Sequence, residues 1–197
     1  MPLSRLCLAR CVVLCVVLWG CISVGCAATS PPLEKDVETV KVEQSPEKLL
    51  ARGRVFASVG DHTRAEQYFA AALDGGADPR VVLPLLIRVC LAEQRYRAAV
   101  AYAEPYLRRH PDDFRLRFVV GSLYAAVGET DTAREHLKQV AQQKPEYAEV
   151  HFAMGMLSLE GDNDRISADE HFREYLRLDP EGEHAVEAKG YLLKTVP

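Results

Sequence analysis

The chain has 197 residues, of which 48% are hydrophobic and 26% are charged, and its formal net charge is −4. This length fits one domain, or one domain with an appendage, and the charged fraction is close to the ordinary value for a soluble protein. The acidic balance, with no basic stripe, argues against a nucleic-acid-binding protein.

Residues 1–25 have the pattern of an export signal. Arg5 and Arg10 precede an apolar run, and small residues follow it. This order of a positive region, an apolar region and small residues predicts a cleaved signal peptide. The alternative is a retained anchor, because the 18 uncharged residues 11–28 reach the lower limit for a membrane-spanning helix.

The end of this segment resembles the lipobox of bacterial lipoproteins. Residues 23–26 read Ser-Val-Gly-Cys, with small or apolar residues before the cysteine. The resemblance implies that the Cys26 thiol is joined to a diacylglycerol and becomes the first mature residue. Cys21 is the alternative site, although the bulky Trp19 fits the pattern poorly. Loss of Arg5 and Arg10 with the signal would change the formal net charge from −4 to −6.

Residues 26–45 are predicted to form the lipidated N-terminus and a flexible linker. The segment contains Pro31 and Pro32, followed by mixed charge and no helical apolar stripe. Five of the six cysteines lie at or before Cys26, so only Cys90 remains in the body of the chain. A single thiol forms no internal disulfide, and Cys90 is expected to be a small buried residue.

Residues 46–182 contain an internal repeat. Ala65, Ala99 and Ala133 are each 34 residues apart, and Ala168 follows after 35. Glycines recur upstream, and prolines recur at the ends of the repeats; these residues are Gly53, Gly121, Gly155, Pro111, Pro145 and Pro180. The pattern resembles the tetratricopeptide repeat, which has a small residue in helix A, alanine in helix B and a closing proline.

The resemblance implies an all-α fold, a right-handed superhelix of about four helix hairpins with a C-terminal capping helix. The repeats are placed at residues 46–79, 80–113, 114–147 and 148–182, and the cap at 183–194. Repeat two diverges, and repeat four carries one extra residue, expected near Ile166. Pro84 either falls in the first turn of a helix that begins near Leu83, or it bends the repeat.

The predicted functional surface is the concave groove lined by the A helices. Family groove positions carried over to this chain comprise Leu50, Arg54, Ser58, Val81, Arg88, Leu91, Arg115, Phe118, Ser122, Ala125, Glu149, Phe152, Met156 and Leu159. Of these, seven are the candidate binding residues: Arg54, Arg88, Arg115, Phe118, Ser122, Phe152 and Met156. Such a groove favours a peptide with acidic and apolar groups. The alternative is that Phe118 and Phe152 pack beneath a neighbouring helix.

No catalytic motif is present in the sequence, and neither a cofactor nor a metal is expected. Asp162-Asn163-Asp164 resembles the start of a calcium loop but is interpreted as a hairpin turn. His151 and His171 lie on the two predicted helices of repeat four, where a metal site or a weak enzyme is the competing hypothesis. Two ligands are too few for a structural zinc site.

The sequence therefore predicts a non-enzymatic scaffold for a protein partner. Its expected location is the bacterial envelope, at the periplasmic face of the outer membrane. By resemblance, such proteins assist assembly of pilus, secretion or outer-membrane complexes. A self-associating structural protein and an adaptor for a cell-wall hydrolase are the alternatives. No small-molecule substrate is evident.

Overall fold

The computed structural model describes residues 45–194, and every regular element in that range is helical. The leader, both candidate lipidation cysteines and nearly all of the linker lie outside the described residues. Nine α-helices and one π-helical segment follow each other along residues 45–194. Their bounds are α1 Pro46–Ser58, α2 His62–Asp74, α3 Pro79–Ala92, α4 Tyr96–Leu107, α5 Phe114–Ala126, α6 Thr130–Gln143, α7 Ala148–Met156, the π-helical segment Leu157–Gly161, α8 Arg165–Leu178 and α9 Ala185–Tyr191.

The helices form four hairpins, α1–α2, α3–α4, α5–α6 and α7–α8, and α9 packs on the last of them. The predicted all-α architecture of helix hairpins with a terminal cap is therefore confirmed. Aspartates start several helices, because a carboxylate can accept bonds from the free N–H groups of the first turn. Asp61 accepts from the Arg64 N–H at 3.0 Å, Asp113 from Leu116 at 3.0 Å and Asp164 from Ser167 at 3.1 Å.

Each hairpin closes where a small residue on one helix meets a larger one on the other. A Cβ atom on Gly53 would lie 2.5 Å from ring atoms of Phe69, and one on Gly121 would lie 3.2 Å from Leu137. Repeat two reverses this arrangement. There the large residue, Ile87, is on the first helix and the small one, Ala103, is on the second, in one buried cluster. The divergence of repeat two is thus an exchange of volume between facing positions, which preserves the packing.

The turns inside the four hairpins share one backbone conformation. Gly60 and Gly128 have φ of 77° and 79°, and Gln94 and Asn163 occupy the equivalent positions with φ of 55° and 54°. Glycine adopts this left-handed region without steric strain, whereas glutamine does so at a cost. Asn163 belongs to the triplet that resembles a calcium loop, and the structure shows this triplet as the turn between the π-helical segment and α8.

Pro84 and Pro105 both lie inside helices. Helix α3 begins at Pro79, so Pro84 is beyond its first turn, and the suggested start near Leu83 is wrong. Each proline lacks the N–H that would bond the carbonyl four residues earlier. The carbonyls that lose this bond belong to Arg80 and Ala101. Both residues are exposed, so their carbonyl groups can bond to solvent instead.

The extra residue of repeat four is in its first helix and not near Ile166. In repeat three, α5 has 13 residues and the turn after it has three. In repeat four, α7 and the π-helical segment together have 14 residues, and the turn after them also has three. A π-helical turn holds one more residue than an α-helical turn, so it absorbs the insertion without changing the hairpin loop.

Helix α9 covers the end of the last hairpin. Ala185 and Ala188 are buried in one cluster with Phe172 and Tyr175. The segment after α9 is held by Asp169, which is 3% exposed and accepts the Leu193 N–H at 2.7 Å. Arg173 donates to the same carboxylate at 2.6 Å. Among residues 45–194, no helix has the length and apolar character needed to cross a membrane.

Candidate functional site

A groove of about 700 Å³ lies between the first helices of repeats two and three. Its lining includes an apolar group from α3 and α5, namely Leu83, Pro84, Ile87, Leu91, Leu116 and Val119. Arg80, Arg88 and Arg115 line the same groove, together with one acidic residue, Asp113. The combination of an apolar floor with cationic edges suits a ligand that carries both apolar and acidic groups.

A second cavity, of about 360 Å³, continues this surface toward repeat one. It is lined by Arg54 and Ser58 from α1 and by Arg88 from α3. Arg88 therefore borders both cavities. Arg54, Arg88 and Arg115 are exposed, and none of them forms an ion pair within residues 45–194. The structure thus places three predicted site residues on one surface, with guanidinium groups free to bind carboxylates.

Phe118 and Ser122, by contrast, are engaged in contacts inside the fold. Phe118 is half-buried, and its ring meets the edge of Tyr147, with 5.3 Å between the centroids. The Ser122 hydroxyl donates to the Phe118 carbonyl at 3.0 Å. Phe118 thus supports the junction of repeats three and four, whereas the Ser122 bond lies within α5.

Phe152 and Met156 also pack inside repeat four. The Phe152 ring stacks on His184, with centroids 4.1 Å apart, and tilts against Tyr175 at 5.5 Å. Met156 is half-buried, packs against the same cluster and borders a cavity of about 400 Å³ beside Ala125. The structure therefore separates the candidate residues into an exposed arginine row and a half-buried group formed by Phe118, Ser122, Phe152 and Met156.

Pro84 is a groove residue that the sequence analysis treated only as a helix breaker. It is 34 residues after Leu50 and 34 before Phe118, so it occupies the groove position of repeat two. It is exposed and lines the 700 Å³ groove. The repeat register contains this signal, and the start of α3 at Pro79 makes the place of Pro84 in the groove evident.

A polar cluster lies at the junction of repeats one and two. Glu66 on α2 pairs with Arg95 and accepts from the Tyr102 hydroxyl at 2.9 Å. Burial, together with this bond to Glu66, raises the pKa of Tyr102 to about 12. Neighbouring Cys90 is fully buried, and burial raises the pKa of its thiol to about 11. A thiol in this protonated state is a poor nucleophile, so Cys90 acts in packing.

His151 and His171 approach each other across the hairpin of repeat four. Their ring centroids are 5.9 Å apart, and Nδ1 of His151 is buried without a hydrogen-bond partner. Burial and the neighbouring His151 lower the pKa of His171. Within residues 45–194, no cluster of three or more histidine, cysteine or acidic residues is placed to hold a metal ion.

Comparison with known proteins agrees with the observed fold. The family model described as tetratricopeptide repeat matches residues 86–148. No curated protein matches the sequence significantly. Solved structures similar to the chain include YrrB, a repeat protein of this class described as having an unusual peptide-binding site. The two share 19% identity at a TM-score of 0.65, over 80% of this chain and 87% of YrrB.

Two further structures have the same fold. A tetratricopeptide-repeat protein from Parabacteroides merdae shares 22% identity at a TM-score of 0.65, over 75% of this chain and 59% of its own length. MamA from Desulfovibrio magneticus RS-1 shares 22% identity at a TM-score of 0.61, over 76% of this chain and 87% of MamA. The described part of the chain therefore has the tetratricopeptide-repeat fold.

Proposed function

We propose that this protein is a binding scaffold whose concave groove holds a segment of a protein partner. The observation that carries the proposal is the row formed by Arg54, Arg88 and Arg115 beside an apolar floor. Exposed guanidinium groups without internal partners are available to an external carboxylate, which they can bind through two parallel hydrogen bonds.

The distribution of charge specifies the kind of segment that fits. Helices α1, α3 and α5 together contain seven basic residues and one acidic residue, although the whole chain has a formal net charge of −4. The first helix of repeat four reverses this balance, because Ala148–Gly161 contains Glu149 and Glu160 and no basic residue other than His151. The bound segment therefore carries carboxylates with at least one apolar side chain and lies over repeats one to three.

A peptide is the favoured form of ligand because the two cavities share Arg88 and together are lined by residues of α1, α3 and α5. The peptide-binding site attributed to YrrB, which has the same fold, supports this choice. An extended segment gains affinity from apolar anchors in the groove and orientation from the charged edges.

The second part of the proposal concerns location. The lipobox-like residues 23–26 support lipid attachment at Cys26, with Cys21 as the alternative, at the periplasmic face of the outer membrane. There the scaffold would recruit its partner during assembly of a pilus, secretion or outer-membrane complex. Metabolic labelling with palmitate tests the anchor. Loss of label in Cys26→Ser is expected, and loss in Cys21→Ser alone would identify the other cysteine.

The groove is tested by partner capture from detergent-solubilised envelope with the full-length chain as bait. Arg88→Glu and Arg115→Glu should each reduce recovery of the specific partner about tenfold or more, because a repulsive carboxylate replaces an attractive cation. Arg109→Glu is the matched control, since Arg109 is an exposed arginine outside the groove. Equal recovery by all three variants would refute the proposed groove.

A further inference from the structure

The most exposed large apolar side chains in residues 45–194 lie at the two ends of the repeat array. They are Val55 on α1 and Val59, the residue that follows α1, which are 62% and 71% exposed, and Val186 on α9, which is 85% exposed. In a repeat array each unit covers the apolar face of its neighbour, and only the terminal units lack one. Both ends therefore retain an apolar contact surface.

The first surface, termed here the front face, is a stripe along α1. Lys48, Arg52 and Val55 follow each other at spacings of four and three, which places them on one side of the helix, and Val59 continues the stripe just past its end. All four are exposed, and Lys48 and Arg52 form no ion pair with any other residue in 45–194. The buried Gly53 lies on the opposite side, against Phe69. The front face is thus apolar and basic.

The second surface, termed the rear face, is the outer side of α9 and the turn before it. Val186 and Gly190 are four residues apart and both exposed, and nothing lies within 4 Å of a Cβ placed on Gly190. Glu181 and Glu183, in the turn before α9, are also exposed. Residues 179–194 contain four acidic and two basic residues, so the rear face is apolar and acidic. Of the two cations, Lys189 donates to the carbonyl of Pro180 at 3.4 Å.

We propose that the front face of one copy docks on the rear face of a second copy, head to tail. The two faces are complementary in charge, and each brings exposed valine to the contact. Gly190 leaves room on the rear face for the larger side chains of the front face. Because the surfaces are different and lie at opposite ends, the contact is heterologous and forms an open row.

This association leaves the arginine groove free. Arg54 projects from α1 on a different side from the front-face stripe, and Arg88 and Arg115 belong to the inner repeats. The inference is therefore independent of the proposed capture of a partner. The charged part of this contact weakens as salt shortens the screening distance.

Sedimentation velocity of the full-length chain in non-ionic detergent tests the proposal over a concentration series. We expect the mean mass to rise through dimer to longer species, and to fall when NaCl is raised from about 50 to 500 mM. Two charge-reversal variants are decisive: Lys48→Glu/Arg52→Glu on the front face and Glu181→Lys/Glu183→Lys on the rear face. Each alone should show a dissociation constant raised about tenfold or more.

Mixing the two variants should restore association, because each reversed face then meets a face of opposite charge. Arg109→Glu/Lys138→Glu serves as the control for a change of net charge away from both ends, and it should associate like the wild type. A single species at all concentrations, a closed dimer that does not grow, or unchanged association of both variants would overturn the proposal. Partner capture that depends on Arg88 would survive each of these results.

Discussion

Gly155 on α7 lies directly against the ring of Phe172 on α8, where a Cβ atom would be 2.6 Å from the nearest ring carbon. Phe172 is fully buried, so its ring has no free space into which to move. This contact sets the closest approach of the two helices in repeat four, as Gly53 and Phe69 do in repeat one.

Gly155→Ala should therefore lower the free energy of unfolding by about 1–3 kcal/mol, despite the better helix propensity of alanine. Gly190→Ala is the matched control, because a Cβ there meets nothing within 4 Å. It should be neutral or stabilising by up to about 1 kcal/mol. Urea denaturation measures both. A double variant with Phe172→Leu should lose less than the sum of its single changes, since leucine leaves room for the added methyl group.

The shared turn conformation predicts opposite effects at two equivalent positions. Gln94→Gly should raise the free energy of unfolding by about 0.5–1 kcal/mol, because glycine adopts the positive φ of this turn without strain. Gly128→Ala should lower it by about 1 kcal/mol for the converse reason. Chemical denaturation of the two variants beside the wild type makes the comparison. Stabilisation by both, or destabilisation by both, would contradict the common turn geometry.

Asp169 links the last hairpin to the segment after α9, and its replacement should loosen the cap. Asp169→Asn weakens the bond to the Leu193 N–H and the ion pair with Arg173, so we expect a loss of about 1.5–3 kcal/mol in the free energy of unfolding. Asp131→Asn is the control: Asp131 is also paired with an arginine, but its side chain is 99% exposed, and its loss should leave the unfolding midpoint unchanged.

The same carboxylate has a predictable dependence on pH. The Arg173 guanidinium, followed by the Leu193 N–H, holds the pKa of Asp169 below its usual value of 3.8. Its contribution is complete above that value and is lost as the pH falls through the lower folded-state pKa. The difference in stability between wild type and Asp169→Asn should therefore shrink at acidic pH. A pH of about 5 lies above both the folded-state and the unfolded-state pKa of Asp169. If the difference in stability stayed constant from pH 5 downward, Asp169 would not have the lowered pKa.

His171 predicts a second change of stability with pH, at higher values. Burial and His151 lower its pKa below the ordinary 6.5, while Glu170 opposes the shift and Lys138 reinforces it. The unfolded chain then binds a proton more readily than the folded chain does. Stability should be greatest above about pH 6.5 and fall as the pH decreases through the lower folded-state pKa.

His171→Gln should flatten this decline, measured as urea midpoints between about pH 7 and pH 5. His136 adds a similar contribution, since burial lowers its pKa also, against the attraction of Glu104. His136→Gln should therefore remove a separate share of the slope. Parallel profiles for wild type and both variants would rule out the buried histidines as its source.

Much of the fold could be predicted because the repeat places equivalent residues at equivalent sites. The spacing of Ala65, Ala99 and Ala133 was enough to establish the hairpins and their order. The same register contains Pro84, although its place in the groove became evident only when α3 was seen to begin at Pro79. The register also reveals an insertion in repeat four, but it does not show that a π-helical turn absorbs it.

The candidate site was less predictable. The repeat register specifies the position of a residue on its helix, but it does not specify whether residues from elsewhere in the chain pack over that side chain. Arg54, Arg88 and Arg115 follow from register alone, since long cations at exposed positions remain in solvent. Phe118 and Phe152 occupy the same type of position, yet Tyr147 and His184 pack against them. Those contacts depend on the approach of residues that are distant in the sequence.

The sequence by itself determined the repeat, its hairpins and the row of groove arginines, because each depends on local spacing and on residue type. Only the tertiary structure decided which apolar side chains remain exposed, since burial depends on the neighbouring helix. It also showed that both ends of the array present valine beside opposite charge. The complementarity of these two surfaces relates residues 48–59 to residues 181–190. Periodicity within one helix does not specify it.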